Sequence, residues 1–236
     1  GGVGPIAVKT YSSLNVEKTI VLGFLSLIAV GTFLIWLLNL EEKPISLINA
    51  LFTATSAVCV TGLSVVDTGG DLTFASQVVL MSLIQLGGLG IMTAMTIVPL
   101  LVGQRIGLRQ RFYFAKEKGL DYPSGAVKLL IHIIKVTMLF EAIGFVPLFL
   151  SFAREMPVGR AFFAAIFHSI SAFCNAGFSL FSNNLEGYSN TFIVPGTIML
   201  LIVFGGLGYP FYMELTSRVK TERKLTPYIK LVILAT

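Results

Sequence analysis

The sequence predicts an all-α polytopic membrane protein made of repeated helix–re-entrant loop–helix units. Three observations predict it: long uncharged apolar blocks, basic residues gathered between those blocks, and an internal duplication. Only 12% of the 236 residues are charged and 55% are hydrophobic, whereas roughly a quarter of a soluble domain is charged. Thr19–Leu40 runs for 22 residues without a charge, Leu72–Gln104 for 33 and Gly187–Met213 for 27; Val136–Ala153 is interrupted by Glu141 alone. About 20 apolar residues in a helix cross the hydrocarbon core of a bilayer, so each block is long enough.

The net charge of +5 is explained by position. Thirteen of the 17 Lys and Arg fall in three clusters: Lys9 and Lys18; Arg105, Arg109, Arg111, Lys116, Lys118 and Lys128; and Arg218, Lys220, Arg223, Lys224 and Lys230. Basic loops between apolar blocks mark the cytoplasmic side. None carries interleaved aromatics suited to base stacking, so nucleic acid is set aside as a partner. Cys59 and Cys174 sit in apolar surroundings and are expected to be free buried thiols, neither a disulfide nor a metal pair. Residue 1 is glycine, so the native start is expected to be missing or replaced.

The chain repeats itself. Phe52–Asp67 (FTATSAVCVTGLSVVD) aligns with Phe167–Ser182 (FHSISAFCNAGFSLFS) at an offset of 115, with six identities in sixteen positions. Gly87–Gly90 and Gly205–Gly208 both read GGLG, in the same order at an offset of 118. Pro44 and Pro157 each open the segment that leads to the shared Cys-x-x-Gly. Duplicated units are a common construction in membrane transport proteins. Each unit reads as a long helix, a short apolar segment, Cys-x-x-Gly, and a second long helix carrying GGLG.

The short segments decide the topology. Pro44–Val66 has 23 uncharged residues and Ala161–Leu185 has 25, so hydropathy alone makes both of them spans. Six spans, however, place the basic loop 105–128 opposite both the N-terminus and the 218–230 cluster, against the positive-inside tendency. If the short segments enter and leave on one side, all three clusters become cytoplasmic, and Lys43, Arg154 and Arg160 remain outside among acidic residues. The re-entrant arrangement is therefore expected. Pro44 and Pro157 suit a first helical turn, where the missing N–H costs nothing. Helices are expected over Ile45–Val58 and Val158–Phe173.

Each short helix then meets small or polar residues and a glycine: Cys59, Val60, Thr61, Gly62 and Cys174, Asn175, Ala176, Gly177. Irregular backbone at membrane depth is tolerated where it is buried in protein or lines a water-filled path. A helix that stops there aims its partly negative C-terminal end at the path, which favours cations. A cation filter needs closely spaced carbonyl oxygens to replace the water shell, and glycine tolerates the dihedrals that aim consecutive carbonyls one way. The carbonyls of 59–62 and 174–177 are the candidate ligands.

Ala-Val-Cys-Val-Thr-Gly-Leu (57–63) and Ala-Phe-Cys-Asn-Ala-Gly-Phe-Ser-Leu-Phe (172–181) resemble the first and second filter loops of the Trk/Ktr/HKT potassium transporters. The GGLG helices and the basic loop fit as well, and the little sequence before the first span resembles the KtrB-type pore subunit. The resemblance implies four helix–pore–helix repeats around one ion path, of which this chain would supply the first two as the N-terminal half. It implies potassium as the cargo at the filter carbonyls, with a sodium-permeable or sodium-coupled member as the alternative. A filter serine in place of the first-repeat glycine goes with sodium permeation in that family, and residue 62 here is glycine. It further implies a homodimer of the full-length protein, a cytoplasmic nucleotide-binding regulatory subunit, and a multi-pass location in the plasma (inner) membrane with a cytoplasmic N-terminus. Lys224–Thr236 (KLTPYIKLVILAT) resembles the opening of a third repeat. The expected division is 1–18, cytoplasmic N-terminus; 19–104, first repeat; 105–124, basic cytoplasmic loop; 125–218, second repeat; and 219–236, linker and truncated start of a third.

Glu141 is the one acid inside a span, where such residues usually face protein or a polar cavity; hydrogen-bonded anchoring of a pore helix is expected more than a direct part in ion passage. His132 and His168 are expected to be packed or hydrogen-bonded. GGLG is expected to serve close helix packing more than bending. An enzyme needs converging nucleophiles, carboxylate pairs or metal ligands, and one mid-span acid with two scattered histidines does not supply them. A non-conducting membrane scaffold is the alternative of another class, but it has no need of re-entrant segments ending in glycine.

Overall fold

The computed structural model describes residues 14–90, 126–208 and 211–212. The basic loop 105–124, most of the three basic clusters and the opening of a third repeat at 224–236 lie outside the described residues. Among the described residues all regular structure is helical: α1 (Leu14–Asn39), α2 (Leu47–Val58), α3 (Phe74–Leu89), α4 (Ala126–Phe152), α5 (Val158–Phe173), a 3₁₀ turn (Glu186–Tyr188) and α6 (Ile193–Gly206).

Among the described residues, α1 and α4 contain two stretches long and apolar enough to cross a membrane, Ile20–Asn39 and Ile131–Phe152. Their large apolar side chains point outward: Leu22, Leu25 and Phe33 on α1, and Met138, Ile143 and Leu150 on α4, are all more than half exposed. A soluble protein does not leave such faces bare. At 1.5 Å per residue, α2 (12 residues) is about 18 Å long and α5 (16 residues) about 24 Å, both short of the hydrocarbon thickness of about 30 Å. Neither short segment forms a continuous spanning helix; each breaks at its cysteine.

The starts of the short helices differ from expectation in one respect. Neither proline occupies the first helical turn. Pro44 lies two residues before the N-cap of α2, which is Ser46, whose hydroxyl accepts Asn49 N–H at 3.2 Å. Pro157 is itself the N-cap of α5, with φ −55° and ψ 140°. A serine can satisfy a free N–H of the first turn and proline cannot, so at Ser46 the cap moved to the hydroxyl and α2 starts at 47 instead of 45.

Helices α1, α2 and α3 pack together as one unit and α4, α5 and α6 as a second, and the units meet chiefly where α3 lies on α5. The duplication extends to single contacts. A Cβ added at Gly31 would lie 2.6 Å from Leu83 Cδ1, and one at Gly144, 113 residues on, 2.5 Å from Leu201 Cδ1. A Cβ added at Gly87 would run into the carbonyl of Val58, and one at Gly205 into that of Phe173, the equivalent residue of α5. The first glycine of GGLG thus seats the long helix against the end of the short one, the packing role expected of it. The last glycine is left-handed in each unit: Gly90, the C-cap of α3, has φ 86°, and Gly208, just past the Leu207 C-cap of α6, has φ 73°. Small residues let α2 and α5 sit at the centre: Ala50, Ala54, Ala57, Ala161 and Ala165 are fully buried.

Candidate functional site

Both short helices end in the same way. The C-cap of α2 is Cys59 (φ −84°, ψ −2°) and that of α5 is Cys174 (φ −72°, ψ −5°). The next residues, Val60 and Asn175, are left-handed, with φ of 56° and 58°. Val60 N–H donates to Ala57 O at 3.2 Å and Thr61 N–H to Ser56 O at 2.9 Å; Asn175 and Ala176 N–H donate to Ala172 O at 3.0 Å and Ser171 O at 2.7 Å. These are the paired bonds of a Schellman end, which satisfy carbonyls that the helix leaves free.

The chain turns left-handed again at Gly62 (φ 74°) and Gly177 (φ 73°), so φ alternates in sign through 59–62 and through 174–177. Alternating hand turns successive carbonyls toward one side, the arrangement a carbonyl-lined cation site requires. Glycine takes these dihedrals freely. Val60 does not: a left-handed L residue costs roughly 1–2 kcal/mol, and a β-branched one is a true outlier. Strain of this kind collects at functional sites.

The two loops meet at their glycines. A Cβ on Gly62 would lie 2.7 Å from Ala176 O and 3.3 Å from Gly177 Cα, and a Cβ on Gly177 would lie 3.3 Å from Gly62 Cα. Gly62 of the first loop thus lies against Ala176 and Gly177 of the second. Cys59 is exposed and Cys174 partly so, and both thiols are free; the expectation of burial fails for Cys59, the C-cap of α2.

The loops share a backbone and differ in their braces. In the first, Thr61 Oγ1 donates to Ser56 Oγ at 2.9 Å. In the second, Ser171 Oγ donates to Phe178 O at 2.7 Å. His168 adds a bridge there: Nε2 pairs with Ser179 Oγ at 2.9 Å, Nδ1 with Ala164 O at 2.7 Å, and the ring stacks on Phe181 with centroids 4.7 Å apart. His168 is packed as expected. His132 Nε2 is buried without a hydrogen-bond partner among the described residues.

Beyond the glycines, a mouth of about 300 Å³ is lined by Gly62, Ser64, Asp67, Gly177, Ser182 and Asn184, among others. Asp67 Oδ1 accepts Gly69 N–H at 2.9 Å and Gly70 N–H at 3.0 Å, and its side chain hydrogen-bonds Ser182, the equivalent position of the other repeat. The Ser182 hydroxyl, the Gly70 and Gly69 amides and the Lys43 charge hold this carboxyl below its ordinary value, against a partial burial that acts the other way. On the other side of Cys174, a cavity of about 160 Å³ is lined by Gly88, His132, Thr137, Asn175, Gly205 and neighbours. Glu141 is buried at 8% exposure; its carbonyl accepts Ser169 Oγ at 2.7 Å and its carboxyl is hydrogen-bonded by Gln85. The anchor on α5 is thus the Glu141 main chain.

Sequence reasoning missed Gln85, Ser169, Ser171, Ser179 and the Asp67–Ser182 tie. The signal available for the last was the repeat alignment, which pairs 67 with 182. The same alignment carries Ser171 and Ser179 as identities with Ser56 and Ser64, whereas Gln85 and Ser169 are single polar residues whose part shows only once a partner helix is known.

A family model described as a cation transport protein, TrkH, matches residues 8–231. Ktr system potassium uptake protein B of Vibrio alginolyticus is 41% identical over 192 residues, which cover 81% of this chain and 42% of that protein. The Bacillus subtilis protein of the same name is 39% identical over 211 residues, covering 86% of this chain and 46% of that protein. Potassium/sodium uptake protein NtpJ of Enterococcus hirae is 34% identical over 225 residues, covering 94% of this chain and 50% of that protein. The chain spans half or less of the length of these relatives, which are transporters and not enzymes. With the family match running through both repeats and both glycine-ended loops, the chain belongs to the TrkH family of cation transport proteins.

Proposed function

We propose that this chain forms two walls of a potassium-conducting pore for uptake across the plasma membrane, with the carbonyls of 59–62 and 174–177 as its share of the selectivity filter. The observation that carries the reading is the pair of helix-end loops with alternating φ, meeting at Gly62 and Gly177. Further repeats in the longer relatives' length complete the ring. The lengths of α2 and α5 support re-entrant segments, with 59–67 and 174–186 toward the outside and the N-terminus and loop 105–124 in the cytoplasm. The units 19–104 and 125–218 are the two repeats, and 219–236 leads into a third.

The partners follow from the same reading: a second copy of the full-length subunit, and a cytoplasmic nucleotide-binding regulator that docks on the basic loop. The test is initial uptake by the full-length protein in liposomes, with potassium and sodium in competition. Saturable uptake favouring potassium is expected; uptake that neither cation competes for overturns the reading. One relative is described as a potassium/sodium uptake protein, which favours sodium as the second cargo, and the same competition measures it.

A further inference from the structure

Behind the second loop lies a polar contact that neither repeat holds alone. Glu141 stands on α4, in an apolar helix, with 8% exposure. Gln85, on α3 of the first repeat, hydrogen-bonds its carboxyl group. Oε1 of both residues is buried without a partner, so the bond runs from the Gln85 amide N–H to the second carboxyl oxygen. Ser169, on α5, donates to the Glu141 carbonyl at 2.7 Å. The repeat offsets place Ile28 where Glu141 stands, Ala54 where Ser169 stands and Val203 where Gln85 stands. The polar set is therefore peculiar to the seam between the repeats.

That seam supports the second loop. Gln85 and Gly88 are three residues apart on α3 and share a face. A Cβ at Gly88 would lie 2.6 Å from Cys174 Sγ and 2.7 Å from Cys174 Cβ, so α3 rests directly on the first residue of the loop. A slide of α3 along α4 moves that support. A buried hydrogen bond resists such a slide, because breaking it leaves both partners unsatisfied away from water, and acids within membrane spans are retained for function.

We propose that Glu141 is a positioning residue for ion selection: it holds α3 through Gln85 and α5 through Ser169, and so fixes Cys174 and the carbonyl spacing behind it. This rests on the filter reading given above. The experiment measures the ratio of potassium to sodium uptake by the full-length transporter in liposomes, at equal amounts of folded protein. Glu141→Leu and Gln85→Leu each lower the ratio by about fivefold, the scale of one hydrogen bond. The double variant falls no further than either single one. Glu141→Gln, whose amide oxygen accepts the same bond, keeps the parent ratio. A merely structural role changes yield or maximal rate and leaves the ratio of both leucine variants untouched, which overturns the inference. Loss of selectivity in Glu141→Gln equal to that in Glu141→Leu also overturns it, since charge would then be what acts. If Glu141→Leu does not fold, Gln85→Leu and Glu141→Gln decide. Gly62→Ser runs alongside: a shift there with none in the leucine variants defeats the inference alone, and no shift at Gly62 defeats the filter reading beneath it.

Discussion

A serine at position 62 tests, in quantity, how the two loops face each other. It meets two penalties. The φ of 74° costs an L residue roughly 1–2 kcal/mol. The new Cβ would also lie 2.7 Å from Ala176 O, inside the 3.0 Å that real Cβ atoms keep. That oxygen is main chain and cannot swing away, so the displacement falls on a candidate ion ligand of the other repeat. At Gly177 the dihedral penalty is the same, φ being 73°, but the nearest neighbour of an added Cβ is Gly62 Cα at 3.3 Å. The two substitutions should therefore be unequal. Gly62→Ser is expected to lower potassium-over-sodium uptake about tenfold, equivalent to about 1.4 kcal/mol, and Gly177→Ser by about threefold. The assay is initial uptake of each cation by the full-length transporter over a concentration series, with folded protein matched between variants. Equal effects, or a larger effect at Gly177, refute the reasoning from contact geometry.

Four further outcomes are expected. Gly87→Ala and Gly205→Ala each press a methyl group on a main-chain carbonyl at the end of α2 or α5 and should destabilise by about 1–3 kcal/mol; Gly187→Ala, with nothing within 4 Å, should leave the thermal unfolding midpoint in detergent unchanged. The Asp67 carboxyl, lowered from 3.8 by its tie to Ser182, keeps that tie at any pH above its unfolded value and loses it as pH falls through its folded one. Selectivity should accordingly be flat with respect to this group from about pH 5 to 8 and should fall only below about pH 4, with Asp67→Asn weakening the tie at neutral pH. Single cysteines at Gln110 and Asn184, in a background without Cys59 and Cys174, should be labelled from opposite sides of the membrane by an impermeant thiol reagent. Charge reversal at Arg109 and Arg111 should reduce co-purification of a nucleotide-binding regulator with the full-length protein, whereas binding to anionic lipid alone would leave that unchanged.

Much of the fold was legible because duplication and hydropathy are both carried by residue type. The breaks at Cys59 and Cys174 and the helix Val158–Phe173 follow from the aligned Cys-x-x-Gly motifs, whereas the contact of Gly62 with Gly177 shows only in three dimensions. The start of α2 was read two residues early, because Ser46 offers a cap that proline statistics do not register. The left-handed turn at Val60 was invisible, since valine is the residue type least suited to it; only the parallel with Asn175 reveals that the backbone demands it. The seam was equally hidden. Gln85 and Glu141 are 56 positions apart, and their meeting depends on how two whole helices are placed.

On the pore reading proposed above, the unlike braces of the two loops have a consequence for how the ion path changes over generations. Where a channel is assembled from identical subunits, one altered codon rewrites every wall of the ion path together. Here Ser56 and Thr61 secure one loop, while Ser171, His168 and Ser179 secure the other. A substitution therefore reaches a single wall, and the remaining walls hold the ion path open while that one varies. Gradual adjustment of cation preference, one side at a time, becomes available to a duplicated chain where a symmetric assembly must accept every change in multiple copies.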